Sequence, residues 1–141
     1  MDLDHALAFA RARSQGVLVT VAADGRPHLS NIVYRADDGG TVRVSITDSR
    51  VKTRNLRRDP RASLYVAGDS FWAYVVLDGT AELTPVAARP DDPVVDELVA
   101  MYRAISGEHP DWDEYRRAMV DDRRLVVRLR PGRAYGILPE G

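Results

Sequence analysis

Cysteine is absent from this chain of 141 residues, which excludes disulfides, thiolate nucleophiles and cysteine metal sites together. Lysine is nearly absent as well: Lys52 is the single one among twenty cationic residues, the other nineteen being arginine. The three histidines, His5, His28 and His109, have no metal-ligand spacing, so no metal site is expected. A formal net charge of −1 gives no global pull toward nucleic acid. No apolar run approaches the roughly eighteen residues that a membrane span needs. The opening MDLDHALAFARARSQG lacks the cationic lead and long apolar stretch of a signal peptide, so the expectation is a cytoplasmic protein without a membrane partner. With 45% hydrophobic residues, residues 1–141 are expected to form one globular domain.

The most informative stretch is Ser45 to Val66, SITDSRVKTRNLRRDPRASLYV, in which a strand runs through a short basic helix into another strand. Six cations fall between Arg50 and Arg61. Asp48 or Ser49 is expected to cap the helix, because a short side-chain oxygen accepts from first-turn N–H groups. Asp59-Pro60 ends it, since proline disfavours helix at the residue before it. Ser45, Thr47, Ser49, Arg50 and Lys52 crowd the helix start, where unpaired N–H groups and a partial positive charge already suit an anion. Lys52 stands out in a chain that otherwise uses arginine, because an ammonium is a compact point charge where a guanidinium is a flat fork. The pattern reads as a phosphate site, with a solvated cationic surface as the plain alternative.

Around this stretch the pattern alternates with period two. Val17 to Ala23 and Arg26 to Tyr34 make a hairpin about Asp24-Gly25, and Thr41 to Thr47 adds a third strand with Val42, Val44 and Ile46 on one side. Ala62 to Ala67 is a fourth strand and Phe71 to Thr84 a fifth, with Gly79 as a candidate bulge. Pro90 to Ile105 and Asp111 to Val120 carry helical core stripes. Arg124 to Arg130 is the sixth strand, followed after Pro131-Gly132 by a short segment, Ala134 to Leu138. Six strands with late helices predict a small antiparallel barrel.

Several polar and aromatic residues admit two readings. Ser30 and Asn31 lie mid-strand, where Asn is disfavoured, so they face water or hydrogen-bond a ligand against the sheet. His28 is either a turn histidine near solvent or a group that orients substrate. Trp72 and Tyr74, expected on one strand face, stack on a flat ring or fill core.

Four runs carry a family resemblance: GRPHLSNIVY (Gly25 to Tyr34), VSITDSRVKTRNLRRDPRASLYV (Val44 to Val66), GTAELTP (Gly79 to Pro85) and YRAISGEHPDWDEYRRAM (Tyr102 to Met119). Together they resemble the split-barrel flavin- and deazaflavin-binding proteins related to pyridoxamine 5′-phosphate oxidase, in the branch that uses coenzyme F420. The K-x-x-N-L-x-x-D-P-R core, from Lys52 through Asn55 to Arg61, is its most specific part. The resemblance implies a mainly β, six-stranded antiparallel split barrel of the FMN-binding type with short helices. It also implies a homodimer with the cofactor cleft at the subunit interface. Arg50 and Lys52 would hold the cofactor's phosphate, Asn55 belongs to the same motif, and the strands carrying Ser30, Asn31, Ser45 and Ile46 would hold the ring. Trp72 would close the cleft from the neighbouring subunit. The cations near the C-terminus are Arg128, Arg130 and Arg133, and pyridoxamine phosphate is not carried over as substrate.

The function implied is a coenzyme F420-dependent oxidoreductase that passes a hydride from the reduced deazaflavin to a small unsaturated or conjugated acceptor. Because the cofactor performs the redox chemistry, the absence of a triad, carboxylate pair or metal motif is consistent with it, and no catalytic residue is singled out. An FMN-dependent oxidase or reductase of the same fold is the main alternative, and a non-catalytic deazaflavin-binding protein is another. A nucleic-acid reader built on the basic helix is disfavoured by the acidic remainder. Arg54, Arg57 and Arg58 are expected to form a cationic rim for the anionic tail of coenzyme F420.

Overall fold

A computed structural model describes residues 1–139. Six antiparallel strands close into a barrel in the order β1-β2-β3-β6-β5-β4. They are β1 (Gln15–Val21), β2 (Pro27–Ala36), β3 (Val42–Thr47), β4 (Arg61–Ala67), β5 (Tyr74–Leu83) and β6 (Arg124–Ile137). The helices are α1 (Leu3–Arg11), α2 (Val51–Arg58), α3 (Pro93–Ser106) and α4 (Trp112–Asp121). None is long and apolar enough to cross a membrane among the described residues.

The period-two pattern sorts the barrel as its sequence suggests. Leu18, Ile32, Tyr34, Val42, Val44, Ile46, Leu64, Val66, Leu125, Val127 and Leu129 point inward and share one core. Helix α1 adds Ala6, Leu7, Phe9 and Ala10 to that core, and the Tyr34 hydroxyl donates to the Ala10 carbonyl at 2.8 Å. Helix α2 adds Leu56 near the end of β1, where Asn55 Nδ2 donates to Thr20 Oγ1 at 3.1 Å. The two helices therefore sit at opposite ends of β1.

A second apolar layer lies outside the barrel. Val126 faces away from the core and packs under Ala87 and the α3 residues Val94, Val95, Leu98 and Met101. Salt bridges hold the same helix down: Glu97 Oε2 accepts from Arg43 Nε at 3.0 Å and Glu97 Oε1 from Arg128 Nη2 at 2.5 Å. Arg43 also pairs with Asp37, and Arg128 and Arg130 share Glu82.

Three local expectations are corrected. Strand β6 runs unbroken past Pro131-Gly132 instead of ending at Arg130. Proline has no N–H for the ladder, yet Pro131 stands opposite Gly79, where the β5 register shifts, so the missing donor falls at a bulge. A side chain at Gly79 would run into the Arg130 carbonyl, which accounts for glycine there. Strand β5 starts at Tyr74 and not at Phe71. The Ala73 N–H donates to Ser70 O and the Gly68 N–H to Ala73 O, which folds Phe71 and Trp72 into a turn, 83% and 72% exposed. Trp72 and Tyr74 thus do not share a strand face.

The third correction concerns the start of α2. Arg50 occupies the N-cap position and no side chain caps the helix. Asp48, expected as a cap, binds Arg57 at 2.6 Å and Arg123 at 3.0 Å instead. Two full ion pairs hold its carboxylate more strongly than one amide would. At the other end Asp59 is extended and closes the helix as expected.

Candidate functional site

A cleft of about 420 Å³ opens where the outer faces of β2 and β3 meet the start of α2 and the inner faces of α3 and α4. One wall is polar and cationic, with Asn31, Ser45, Thr47, Arg50, Lys52 and Arg124. The other is apolar and aromatic, with Leu98, Met101, Tyr102, Ile105, Tyr115 and Met119. Among the described residues no carboxylate lines it; three cations from two elements face the same space, and of these Arg124 alone has a carboxylate near, Asp122 at 3.8 Å.

The Lys52 ammonium registers this directly. Its pKa is lowered, first by burial and then by the neighbouring charges of Arg50 and Arg124. Its Nζ donates to Ser30 Oγ at a long 3.4 Å and pairs with no carboxylate. The Arg50 side chain is exposed at the mouth and enters no ion pair among the described residues. Such an arrangement is suited to a phosphate, which offers several strong acceptors to converging cations.

Of the residues singled out from sequence, Asn31, Ser45, Ile46, Arg50 and Lys52 line this cleft, and Ser30 touches it through Lys52. The side chain of Ile46 is only 1% exposed and fills the barrel core, so only its backbone is available to a ligand. Asn55 does not face the cleft; it is 3% exposed, donates to Thr20 and accepts from Arg58 Nη2 at 3.0 Å. Trp72 lies outside the cleft on its exposed turn. His28 is not in the lining either, and its Nδ1 is buried without a hydrogen-bond partner.

The expected cationic rim is reduced. Arg57 is bound to Asp48, and Arg58 donates to Val21 O at 2.8 Å as well as to Asn55. Arg54 donates to Ser49 O at 3.0 Å but remains exposed. Two features were missed from sequence. Arg124 enters the cleft only because the β3–β6 register sets it opposite Thr47, a long-range pairing with no local signal. The apolar wall was legible as helical stripes, but stripes do not say which members stay half-buried. Tyr102, His109, Trp112 and Tyr115 form a mutually packed aromatic group beside it, with ring centroids 5.1 to 5.7 Å apart.

A second cleft of about 720 Å³ shares Asn31, Ile32 and Val33 with the first and runs on past Arg13, Gln15, Val17, Tyr65 and Asp69. On the barrel's outer surface Leu29 and Val33 of β2, and Tyr135 and Ile137 of β6, are each between 49% and 60% exposed.

Comparison with known proteins agrees with this architecture. A conserved hypothetical protein from Mycobacterium tuberculosis superposes with a TM-score of 0.69 at 25% identity, covering 100% of this chain and 92% of that one. An F420 reductase gives 0.66 at 23% identity over 89% of this chain and 92% of that one, which shows a shared fold. A heme binding protein from Mycobacterium smegmatis gives 0.69 at 25% identity over 99% of this chain and 55% of that longer one. Residues 3–137 match the family described as pyridoxamine 5′-phosphate oxidase. With its closed six-stranded barrel, the chain belongs to that split-barrel family.

Proposed function

We propose that this protein is a coenzyme F420-dependent oxidoreductase that reduces a small unsaturated or conjugated acceptor. The observation that carries the reading is a cleft without a lining carboxylate among the described residues, with converging cations at one end and an apolar, aromatic wall beside them. That pairing matches a phosphorylated cofactor with a flat ring. When bound, a reduced deazaflavin supplies the hydride chemistry, and the chain needs only to bind and orient it and to exclude water.

In this reading Arg50 and Lys52 hold the phosphate, and the Ser30 hydroxyl positions the Lys52 ammonium. Asn31 and Ser45 hydrogen-bond the ring from β2 and β3, and Ile46 contributes its main chain. Asn55 acts one step away by fixing α2 on β1 through Thr20. Met101, Tyr102, Ile105 and Tyr115 keep the space beside the ring dry, which favours an apolar conjugated acceptor. The phosphate of coenzyme F420 is a diester whose chain continues past it, and Arg50 stands at the open mouth where such a chain can leave. Arg54, still exposed, is the remaining cation for the anionic tail.

A homodimer completes the cleft. The exposed apolar side chains Leu29, Val33, Tyr135 and Ile137, with Phe71 and Trp72, are of the kind that an interface with a second copy would cover. Trp72 of the partner subunit would close the shared site. Light scattering that found only monomer at micromolar concentration would remove that interface.

Side-by-side titration of the purified protein with coenzyme F420, FMN and haem tests the assignment. Coenzyme F420 is expected to bind most tightly. Tighter FMN binding would replace the reading with an FMN-dependent enzyme of the same fold. Tighter haem binding would replace it with a haem protein, for which Tyr102, Tyr115, Met101 and Met119, and none of the three histidines, stand in the cleft as possible iron ligands. Tight F420 binding without oxidation of the reduced cofactor by any tested acceptor would leave a deazaflavin carrier.

A further inference from the structure

Arg124 opens β6 directly opposite Thr47, the last residue of β3. Its carbonyl accepts from the Ala87 N–H at 2.8 Å, so the backbone that carries the side chain is fixed on both sides. The guanidinium enters the cleft from the barrel wall, whereas Arg50 and Lys52 enter from the start of α2. Its Nε is buried and has no hydrogen-bond partner. Asp122, itself half exposed, makes a loose ion pair with that nitrogen at 3.8 Å, beyond hydrogen-bond reach, so the N–H stays without an acceptor.

Two neighbours sense its charge. Arg124 is one of the causes that lower Lys52, after burial and Arg50. It also partly offsets the rise that burial gives the Tyr115 phenol. A guanidinium held between an ammonium and a phenol, with a buried N–H unmet, is unfavourable until an acceptor arrives.

We infer that Arg124 is a third ligand of the anion held by Arg50 and Lys52, and that this anion is a phosphoryl group accepting from all three at once. The inference rests on the phosphorylated-cofactor reading of the cleft and adds a residue from the opposite side of it. A cofactor lacking the phosphate therefore gains nothing from Arg124.

Fluorescence titration of FMN, coenzyme F420 and riboflavin against the wild type, Arg124→Gln and Arg124→Lys tests this. Arg124→Gln is expected to weaken FMN and coenzyme F420 by roughly tenfold or more while riboflavin stays within about twofold. Arg124→Lys should recover part of the loss, since a point charge replaces the fork. Melting curves with inorganic phosphate form a second arm. Phosphate should raise the wild-type melting temperature and raise that of Arg124→Gln by less, each measured against its own phosphate-free curve.

Cofactor affinity unchanged in Arg124→Gln, or an equal loss of riboflavin and FMN, would overturn the inference. If the wild type binds neither FMN nor coenzyme F420, the cofactor reading falls and the phosphate arm decides Arg124 alone. Stabilisation by phosphate that Arg124→Gln loses would then uphold the three-cation site. Equal stabilisation in both proteins, or none in the wild type, would overturn it.

Discussion

Two groups of cations flank helix α3. Against one side, Arg43 and Arg128 share Glu97 of the helix and pair also with Asp37 and Glu82, each at hydrogen-bonding distance. Against the other, Arg50, Lys52 and Arg124 line a cleft that has no carboxylate in its lining among the described residues. Residue type hardly differs between the groups, and burial is partial in both. What differs is the partner: the first group fastens α3 to the barrel, while in the second Arg50 and Lys52 meet no carboxylate among the described residues and Arg124 has only a loose contact with Asp122, which is why we propose that this group serves a ligand.

The sharpest break of the first group is at Glu97. Its side chain is only 16% exposed and joins two arginines, so Glu97→Ala leaves both without their shared partner. Urea unfolding should show a loss of about 2 to 3 kcal/mol, below the full cost of a buried pair because the arginines keep some solvent. A shift smaller than that of an ordinary surface mutation would mean the belt does not hold α3.

Glu97 also sets a pH dependence. Hydrogen bonds from Arg128, then charge and contact with Arg43, hold its carboxyl below the ordinary 4.5 against the opposing effect of burial. Its stabilising contribution is therefore complete above pH 4.5 and is lost as the pH falls through the lower folded value. In Glu97→Gln the acid limb of the stability profile should be shallower. An unchanged limb would assign acid unfolding to other carboxylates.

The second group should respond in the opposite sense. Lys52→Ala is expected to weaken cofactor binding by about 1.5 to 3 kcal/mol, the scale of a hydrogen bond to a charged group. Without ligand, the same residue disfavours folding, because its lowered pKa means the charged form is less comfortable in the folded chain. That cost is full at neutral pH and fades as pH rises through the folded value toward 10.5. Lys52→Met should thus unfold no earlier than the wild type at pH 7, and a clear loss of melting temperature would contradict the account.

The smallest effect concerns the remnant of the rim. Arg54→Ala should narrow the preference for coenzyme F420 over FMN by about 0.5 kcal/mol, and only at low salt, because an exposed contact is screened. A preference unchanged at low salt would show that the tail does not reach Arg54.

Much of this was legible in the sequence because it is local. The alternation of Val42, Val44 and Ile46, the Asp24-Gly25 turn, where Gly25 has φ +87, and the Asp59-Pro60 stop depend on neighbours in the chain. That Arg50 and Lys52 stand together at the cleft was legible for the same reason, since they sit at one helix start. What escaped depends on pairing at a distance. Arg124 needed the β3–β6 register, and the tethering of Arg57 and Arg58 needed Asp48, Val21 and Asn55 in three dimensions. The failed cap has the same origin: Asp48 meets Arg123, which lies 75 residues away.

The central claim is that unpaired cations bind the ligand and paired ones hold the fold. Lys52→Met and Arg57→Met, two substitutions on one short helix, test it when coenzyme F420 affinity and unfolding free energy are measured on the same samples. The account predicts a crossing: Lys52→Met loses affinity and keeps its stability, while Arg57→Met keeps its affinity and loses a small part of its stability with its exposed pair to Asp48. Equal losses of affinity at both positions would contradict it, and would make the basic helix a diffuse attractor instead of a defined phosphate site.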